Sequence, residues 1–238
     1  MHQEGLLGSW FPDATAASLN LLRALEVSMG ILTRQWPQLA KQLQHPLKDQ
    51  AQGKEARQRT LLAMTKLLGL LSQNPQNAEA TLKRLKYSRN EIQMVGILLR
   101  NWPDWSGLLA RDFCTASDRY LLFQRAGAGF PALVLWAITT HLPLHPEDLS
   151  PTDSILQDLL GRLAPWVAEF LNPQSPIAYP QLLLSGRALM RALDLSPGPE
   201  IGQLLAQLTL AQVEGQIKTV ADAIALAQLL RAQRLELE

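Results

Sequence analysis

Helical periodicity runs through nearly the whole chain and limits the fold more than any other feature. Leu, Ala and Gln dominate, β-branched residues are few, and no stretch alternates apolar and polar residues over a useful length. The segment from Arg59 to Leu71 is an example, because its apolar run is flanked by turn residues and fits one helix. The pattern predicts an all-α protein, an irregular bundle of about ten helices.

Local signals predict where several of these helices begin and end. Asn77 and Ser117 are predicted caps, Ser88 with Glu91 forms a capping-box pattern, and Thr219 with Asp222 forms a near one. Residues 101–104 are predicted to end one helix, and Pro165 is predicted to kink or split another.

Prolines divide these predicted helices into two groups. Pro173, Pro176 and Pro180 lie close together and predict a rigid linker. A length of 238 residues allows either one or two domains. We therefore predict a helical body over residues 1–172 and a smaller helical tail over residues 173–238.

Cationic residues are concentrated in the middle of the chain. The whole chain has a net charge of only +1, but residues 41–125 carry 14 basic and 7 acidic side chains, 14 − 7 = +7. The preceding residues sum to 2 − 3 = −1 and the following residues to 6 − 11 = −5. A basic region between neutral and acidic ones is typical of a polyanion-binding face, although solvated helix surfaces also carry many lysines and arginines.

The strongest candidate binding site is the basic run over residues 82–89. Leucines anchor one helical face, and Tyr87 is placed to stack on a base. The cations that we expect to project to solvent are Lys83, Arg84, Lys86 and Arg89. Such side chains contact phosphates with a strong salt dependence and little sequence preference. The alternative is an ordinary solvated helix surface.

A second candidate is a glycine- and proline-bearing corner within residues 182–225. Pro199 fits the first turn of a helix, and Gly198 before it is predicted to take backbone angles that other residues avoid. Gly202, one turn later, is predicted to permit a close approach, and Gly215 to end the helix. A helix N-terminus after glycine can bind an anion, so the corner is either a phosphate contact or a plain turn between helices.

No catalytic or metal-binding set is recognisable in the sequence. His141 and His145 are separated by Pro143, which breaks the helix that would align them, and Glu147 and Asp148 fit a helix start. Glycine-rich phosphate loops, nucleophile elbows and zinc-spaced Cys/His sets are missing. We expect no catalytic residue and no bound metal.

Composition indicates a cytoplasmic protein. Cys114 is the single cysteine, which excludes an intrachain disulfide and fits a reducing compartment. The longest strongly apolar stretch, residues 130–142, is too short to span a bilayer, and no secretory leader is recognisable. We therefore expect no membrane partner.

The tail carries a sequence pattern that resembles a known family. Residues 184–190 read Leu-Ser-Gly-Arg-x-Leu-Met, residues 195–205 read Leu-x-Pro-Gly-Pro-x-Ile-Gly-x-Leu-Leu, and residues 215–219 read Gly-x-Ile-Lys-Thr. This pattern is similar to the tail of bacterial tRNA nucleotidyltransferases, the CCA-adding enzymes and their poly(A) polymerase relatives. Residues 1–7, 82–88 and 118–127 resemble three further segments of the family in the same order.

The resemblance implies that the chemistry lies outside this sequence. In the family a head holds Mg²⁺ and the nucleotide, and a neck selects CTP and ATP, so we expect no cofactor in this chain. Some relatives carry an HD phosphohydrolase signature, but residues 61–66 lack its His-Asp pair. Arg111-Asp112-Phe113 is similar to a head motif but lies in the body, and we interpret it as coincidence.

The family's body and tail cradle the acceptor and T arms of tRNA, so the resemblance implies that tRNA or another structured RNA is the partner. A nucleotidyltransferase head would act in the same parent chain or in trans. The expected RNA-binding residues are Lys83, Arg84, Lys86, Arg89, Arg125, Arg187, Gly198 and Gly202.

A function of another class is a helical scaffold for protein interaction or oligomerisation that does not bind RNA. An apolar patch formed by exposed Trp102, Trp105 or Trp136 would favour this alternative.

Overall fold

The computed structural model describes residues 8–47, 59–111, 113–142 and 153–235. These residues form eleven α-helices, and their only β-type pairing is an isolated bridge between Pro46 and Thr60. The predicted all-α class is confirmed. The helices are α1 (Ala16–Gln35), α2 (Pro37–Leu43), α3 (Leu61–Leu68), α4 (Pro75–Arg84), α5 (Arg89–Leu109), α6 (Ala116–Ala126), α7 (Phe130–His141), α8 (Ser154–Leu171), α9 (Gly186–Leu193), α10 (Pro199–Val213) and α11 (Val220–Leu235), with a 3₁₀ turn at Gly127–Gly129.

The chain divides into two compact units. Unit 1 comprises Met1–Asp112 and Arg125–Leu171, and unit 2 comprises Phe113–Gln124 and Asn172–Glu238. The predicted body over residues 1–172 differs from unit 1 chiefly in including residues 113–124. Within unit 2, the Ser117 hydroxyl of that segment donates to Glu214 Oε1 at 2.6 Å, a contact between distant parts of the sequence.

Helix α7 lies at the centre of unit 1. Every residue from Phe130 to Thr139 is buried, because α1, α2, α3, α5 and α8 all pack against this helix. With α6 and the 3₁₀ turn, it forms a run over Ala116–His141 that is long and apolar enough to cross a membrane. The most apolar window of that run is 72% buried inside the protein, as expected of a core helix.

Helix α5 continues through Pro103, although the sequence predicts an end at residues 101–104. Proline removes one helical hydrogen bond. Beyond it, however, Trp105 is fully buried, and its ring meets those of Phe130 at 5.6 Å and Trp166 at 4.7 Å between centroids, both edge-on. Burying these large rings stabilises the extra turns by more than one hydrogen bond costs. Helix α8 likewise runs unsplit past Pro165.

Helix starts follow side-chain capping, not always at the predicted residue. The boxes of Ser88 with Glu91 and of Thr219 with Asp222 are confirmed. Asn77, however, is not a cap, because the helix begins earlier, at Pro75. The N-cap is Asn74, whose side chain accepts the N–H groups of Gln76 and Asn77. Similarly α6 is capped by Thr115, which exchanges hydrogen bonds with Asp118, and not by Ser117.

Unit 2 has its own core, built by α9, α10 and α11. Leu189, Leu204 and Leu208 are among its buried residues. The predicted corner is present between α9 and α10, with Pro199 as the first residue of α10. Gly215, at φ +75°, ends α10 as predicted, because the left-handed region is costly for residues with a Cβ.

Candidate functional site

The turn between α4 and α5 presents the basic run. Helix α4 ends with two backbone bonds, from Tyr87 N to Leu82 O and from Lys86 N to Lys83 O, both 3.1 Å. This pairing requires a left-handed residue after the cap, a position that glycine usually takes. Lys86 occupies it with φ +61° and an exposed side chain. A lysine is therefore held at a position where its backbone conformation is unfavourable.

Lys83 is exposed but paired. Its ammonium lies 2.6 Å from Glu79 Oε1, one helical turn away. The hydrogen bond and charge of Lys83, together with the more distant charge of Arg100, lower the pKa of the Glu79 carboxyl below its ordinary value. Both side chains of the pair face solvent, so the pair is weak and Lys83 can exchange to another anion.

Arg84 is engaged with the protein backbone. One terminal nitrogen donates to Ser9 O at 3.1 Å and the other to Trp10 O at 2.6 Å. Residues 8–10 are helical and residue 11 is not, so the guanidinium binds carbonyls at the C-terminal end of that helical segment. The side chain predicted to bind RNA thus holds the N-terminal turn on α4, and a phosphate would have to displace these carbonyls.

Tyr87 is also less free than the sequence indicates. The guanidinium of Arg59 lies 4.4 Å from the centroid of its ring and covers one face. Arg59 in turn donates to the buried carboxylate of Glu91 at 2.9 Å, and Glu91 also accepts the N–H of Ser88 at 2.8 Å. Glu91 raises the pKa of Arg59, and burial raises the pKa of Tyr87. These groups fix the start of α5.

Arg89 is the first residue of α5, and its side chain is exposed. It borders a cleft of about 300 Å³ between α4 and α5, together with Glu79, Gln93, Gly96 and Arg100. Along α5, residues 89, 93, 96 and 100 follow one another at helical spacing and so share a face. Arg100 is the site residue that the sequence interpretation missed, and this spacing was the signal that could have found it.

Arg125 lies in unit 1 but is already paired. Its guanidinium donates to Asp104 Oδ2 at 2.7 Å, and both side chains are about half exposed. The structure therefore brings Lys83, Lys86 and Arg89 to one turn, whereas Arg125 lies on another helix beside a carboxylate.

The remaining predicted site residues belong to unit 2. Arg187 is exposed near the start of α9. Gly198 has φ −176°, an extended conformation open to any residue, so the glycine-specific geometry expected there is not used. A Cβ added at Gly202 would meet nothing within 4 Å, so no side chain that the structure describes packs against this position. Glu200 also places a carboxylate in the first turn of α10, which disfavours a phosphate at that helix end.

No metal-binding cluster of three or more His, Cys, Asp or Glu side chains exists in the described ranges. His145, Glu147 and Asp148 lie outside those ranges. Trp105 and Trp136 are buried in unit 1 and Trp102 is half-buried, so they do not form the exposed patch that would favour a scaffold.

Comparison with known proteins finds a family match in the tail and a relative across nearly the whole chain. Residues 168–227 match the family described as tRNA nucleotidyltransferase domain 2, putative. The CC-adding tRNA nucleotidyltransferase of Synechocystis sp. is 32% identical over 226 residues, 95% of this chain and 48% of that protein. The chain thus spans about half the length of this curated relative. No solved structure matches this chain.

Proposed function

Because the chain belongs to the tRNA nucleotidyltransferase family, we propose that it binds the phosphate backbone of tRNA through a basic face on α4 and α5. This basic face comprises Lys83, Lys86, Arg89 and Arg100. The observation that carries the proposal is Lys86, an exposed cation kept in a left-handed conformation where glycine would cost less. A contact between the lysine ammonium and a phosphate would explain why a lysine occupies this position.

Two further observations support an RNA backbone as the ligand. The face lies in the part of the chain with a local net charge of +7. Its two arginines make no hydrogen bond or ion pair to any residue the structure describes, and only the charge of Arg100 acts on a carboxylate, that of Glu79. Phosphate contacts of this kind position an RNA without reading its sequence, as a protein that acts on many tRNAs requires.

We also propose how this region contributes to a reaction. The chemistry, with Mg²⁺ and CTP or ATP, belongs to a head and neck in the same polypeptide or in a partner chain, and this region holds the tRNA. The name of the Synechocystis relative favours CC addition over A or poly(A) addition. A cytoplasmic location fits the single cysteine.

Fluorescence anisotropy with labelled tRNA at about 50 and 200 mM salt tests the binding. Each phosphate contact contributes about half a decade of affinity loss between these concentrations. The triple variant Lys83→Ala, Lys86→Ala, Arg89→Ala should therefore bind tRNA more weakly. The factor by which its affinity falls between the two salt concentrations should be roughly 30-fold smaller than for the wild type. Arg84 is left intact because its replacement would release residues 8–10.

A matched control removes three other exposed cations from unit 1, Arg23, Arg34 and Lys41 on α1 and α2. This variant should bind almost as wild type. Equal weakening by both triple variants would mean that net charge alone is responsible, and absence of binding by the wild type at low salt would refute the proposed function.

A further inference from the structure

The cleft between α4 and α5 has two arginines on one border. Arg89 and Arg100 are eleven residues apart, about three helical turns, and both line the same cleft of about 300 Å³. That volume is at the small end of the range for ligand sites and exceeds what one bound water needs. Both guanidinium groups add positive charge to the border of the cleft, which favours an anion there.

Gly96 leaves room for the position that the Arg100 guanidinium takes. A Cβ at this position would fall 2.9 Å from Arg100 Nη1 and 3.1 Å from Nη2, so the guanidinium rests against the bare backbone one turn before its own Cα. Any larger residue would push it away. Glycine is unfavourable inside a helix, and here it allows the guanidinium to lie back along α5.

The rest of the lining leaves the cleft positive. Gln93 contributes an amide, whereas Ile92 and Val95 are apolar. Glu79 is the only carboxylate in the lining, and its charge is offset by the ammonium of Lys83 at 2.6 Å. Glu79 is therefore the one carboxylate at the cleft among the described residues, and it faces the charges of both Lys83 and Arg100.

We infer that this cleft is a specific phosphate-binding site in which Arg89 and Arg100 hold one phosphodiester group between them. Guanidinium groups match the geometry of phosphate oxygens and bind them in bidentate pairs. The inference deepens the proposed function, because it rests on tRNA as the source of the phosphate. Free inorganic phosphate would be recognised by the same chemistry, and the experiment separates the two sources.

The first arm measures tRNA affinity by anisotropy in the intact chain. Arg100→Gln should weaken binding by about tenfold, as expected when a charged hydrogen bond is lost. Gly96→Ala keeps every charge but displaces Arg100, and it should weaken binding severalfold. Gly107→Ala is the matched control, since it lies in the same helix and its added Cβ would meet nothing within 4 Å.

A double-variant cycle tests whether both arginines hold the same group. If they share one phosphate, the loss for Arg89→Gln with Arg100→Gln should be clearly smaller than the product of the single losses. Equal affinities of the Gly96→Ala and Gly107→Ala variants, or additive arginine losses, would overturn the shared clamp and leave backbone binding by the basic face intact.

The second arm titrates inorganic phosphate while the arginine Nε–H signals are followed by NMR. Shifts of the Arg89 and Arg100 signals that Gly96→Ala abolishes support the cleft. If these shifts occur but the wild type binds no tRNA, the cleft takes free phosphate and the proposed function fails. If neither arginine signal moves and the Gly96→Ala variant binds tRNA as tightly as the wild type, the inference is refuted.

Discussion

At the scale of single residues, the position of a cation in the fold decides whether its charge is available. Arg84 and Lys86 are two residues apart in the sequence and look equivalent there. The structure gives Arg84 two backbone carbonyls and leaves Lys86 exposed in a left-handed conformation. Charge patterning predicted the basic run, but it could not separate these roles, because the partners of Arg84 lie about 75 positions away.

Lys86→Gly should raise the free energy of unfolding by about 1 kcal/mol, since glycine avoids the left-handed penalty. The same variant should bind tRNA less tightly because a cation is lost. Lys86→Ala serves as the control, with equal loss of affinity and no gain in stability. Chemical denaturation and anisotropy measure both effects, and a more stable variant with unchanged affinity would argue against a phosphate contact by Lys86.

Glu79→Gln should increase tRNA affinity roughly twofold to threefold at low salt, because it removes an anion beside Lys83 and Arg100. Asp158→Asn is a matched control, since Asp158 likewise pairs with a cation one turn away, Arg162, on the solvent-facing side of α8 in unit 1. Anisotropy at about 50 mM salt distinguishes them. Equally tighter binding by both variants would mean that the net charge of the protein, and not the position of Glu79, determines the affinity.

At the scale of secondary structure, periodicity predicted the helices well and their ends less well. The α9–α10 corner and the Gly215 stop follow local backbone rules, and the structure confirms both. Pro103 misled the prediction, because the burial of Trp105 is a tertiary effect invisible to local rules. Helical spacing could have placed Arg100 on the same face as Arg89, but only the packing of α4 beside α5 shows that this face borders a cleft.

The start of α11 should be sensitive to acid. The N–H groups of Lys218 and Thr219 donate to Asp222, and these bonds hold the pKa of its carboxyl below the ordinary 3.8. A lowered pKa means that the cap stabilises the folded state above that ordinary value and is lost as the pH falls through the lowered one.

NMR titration of the Asp222 carboxyl should therefore give a midpoint below 3.8, with exchange protection of the first α11 amides falling over the same range. Asp222→Asn removes this pH dependence and supplies the baseline. A midpoint at or above the ordinary value would show that the carboxylate is not held by these bonds.

At the scale of the whole molecule, the two units have separate cores and should respond separately to core damage. Leu189 is fully buried in the core of unit 2. Leu189→Ala should lower the free energy of unfolding of unit 2 by about 2–5 kcal/mol, because apolar burial is lost and a cavity is left. Hydrogen exchange should then rise across α9, α10 and α11 while α7 keeps its protection, and a uniform rise would contradict independent cores.

Intrinsic tryptophan fluorescence distinguishes the two units. All six lie in the sequence segments of unit 1, and none lies in unit 2. Trp105 is fully buried against aromatic rings, with an indole N–H that has no hydrogen-bond partner among the described residues. An indole in such dry surroundings emits at short wavelength, so a red shift on heating reports the opening of unit 1 alone. Circular dichroism reports the helices of both units, so the difference between the two melting curves isolates the unfolding of unit 2.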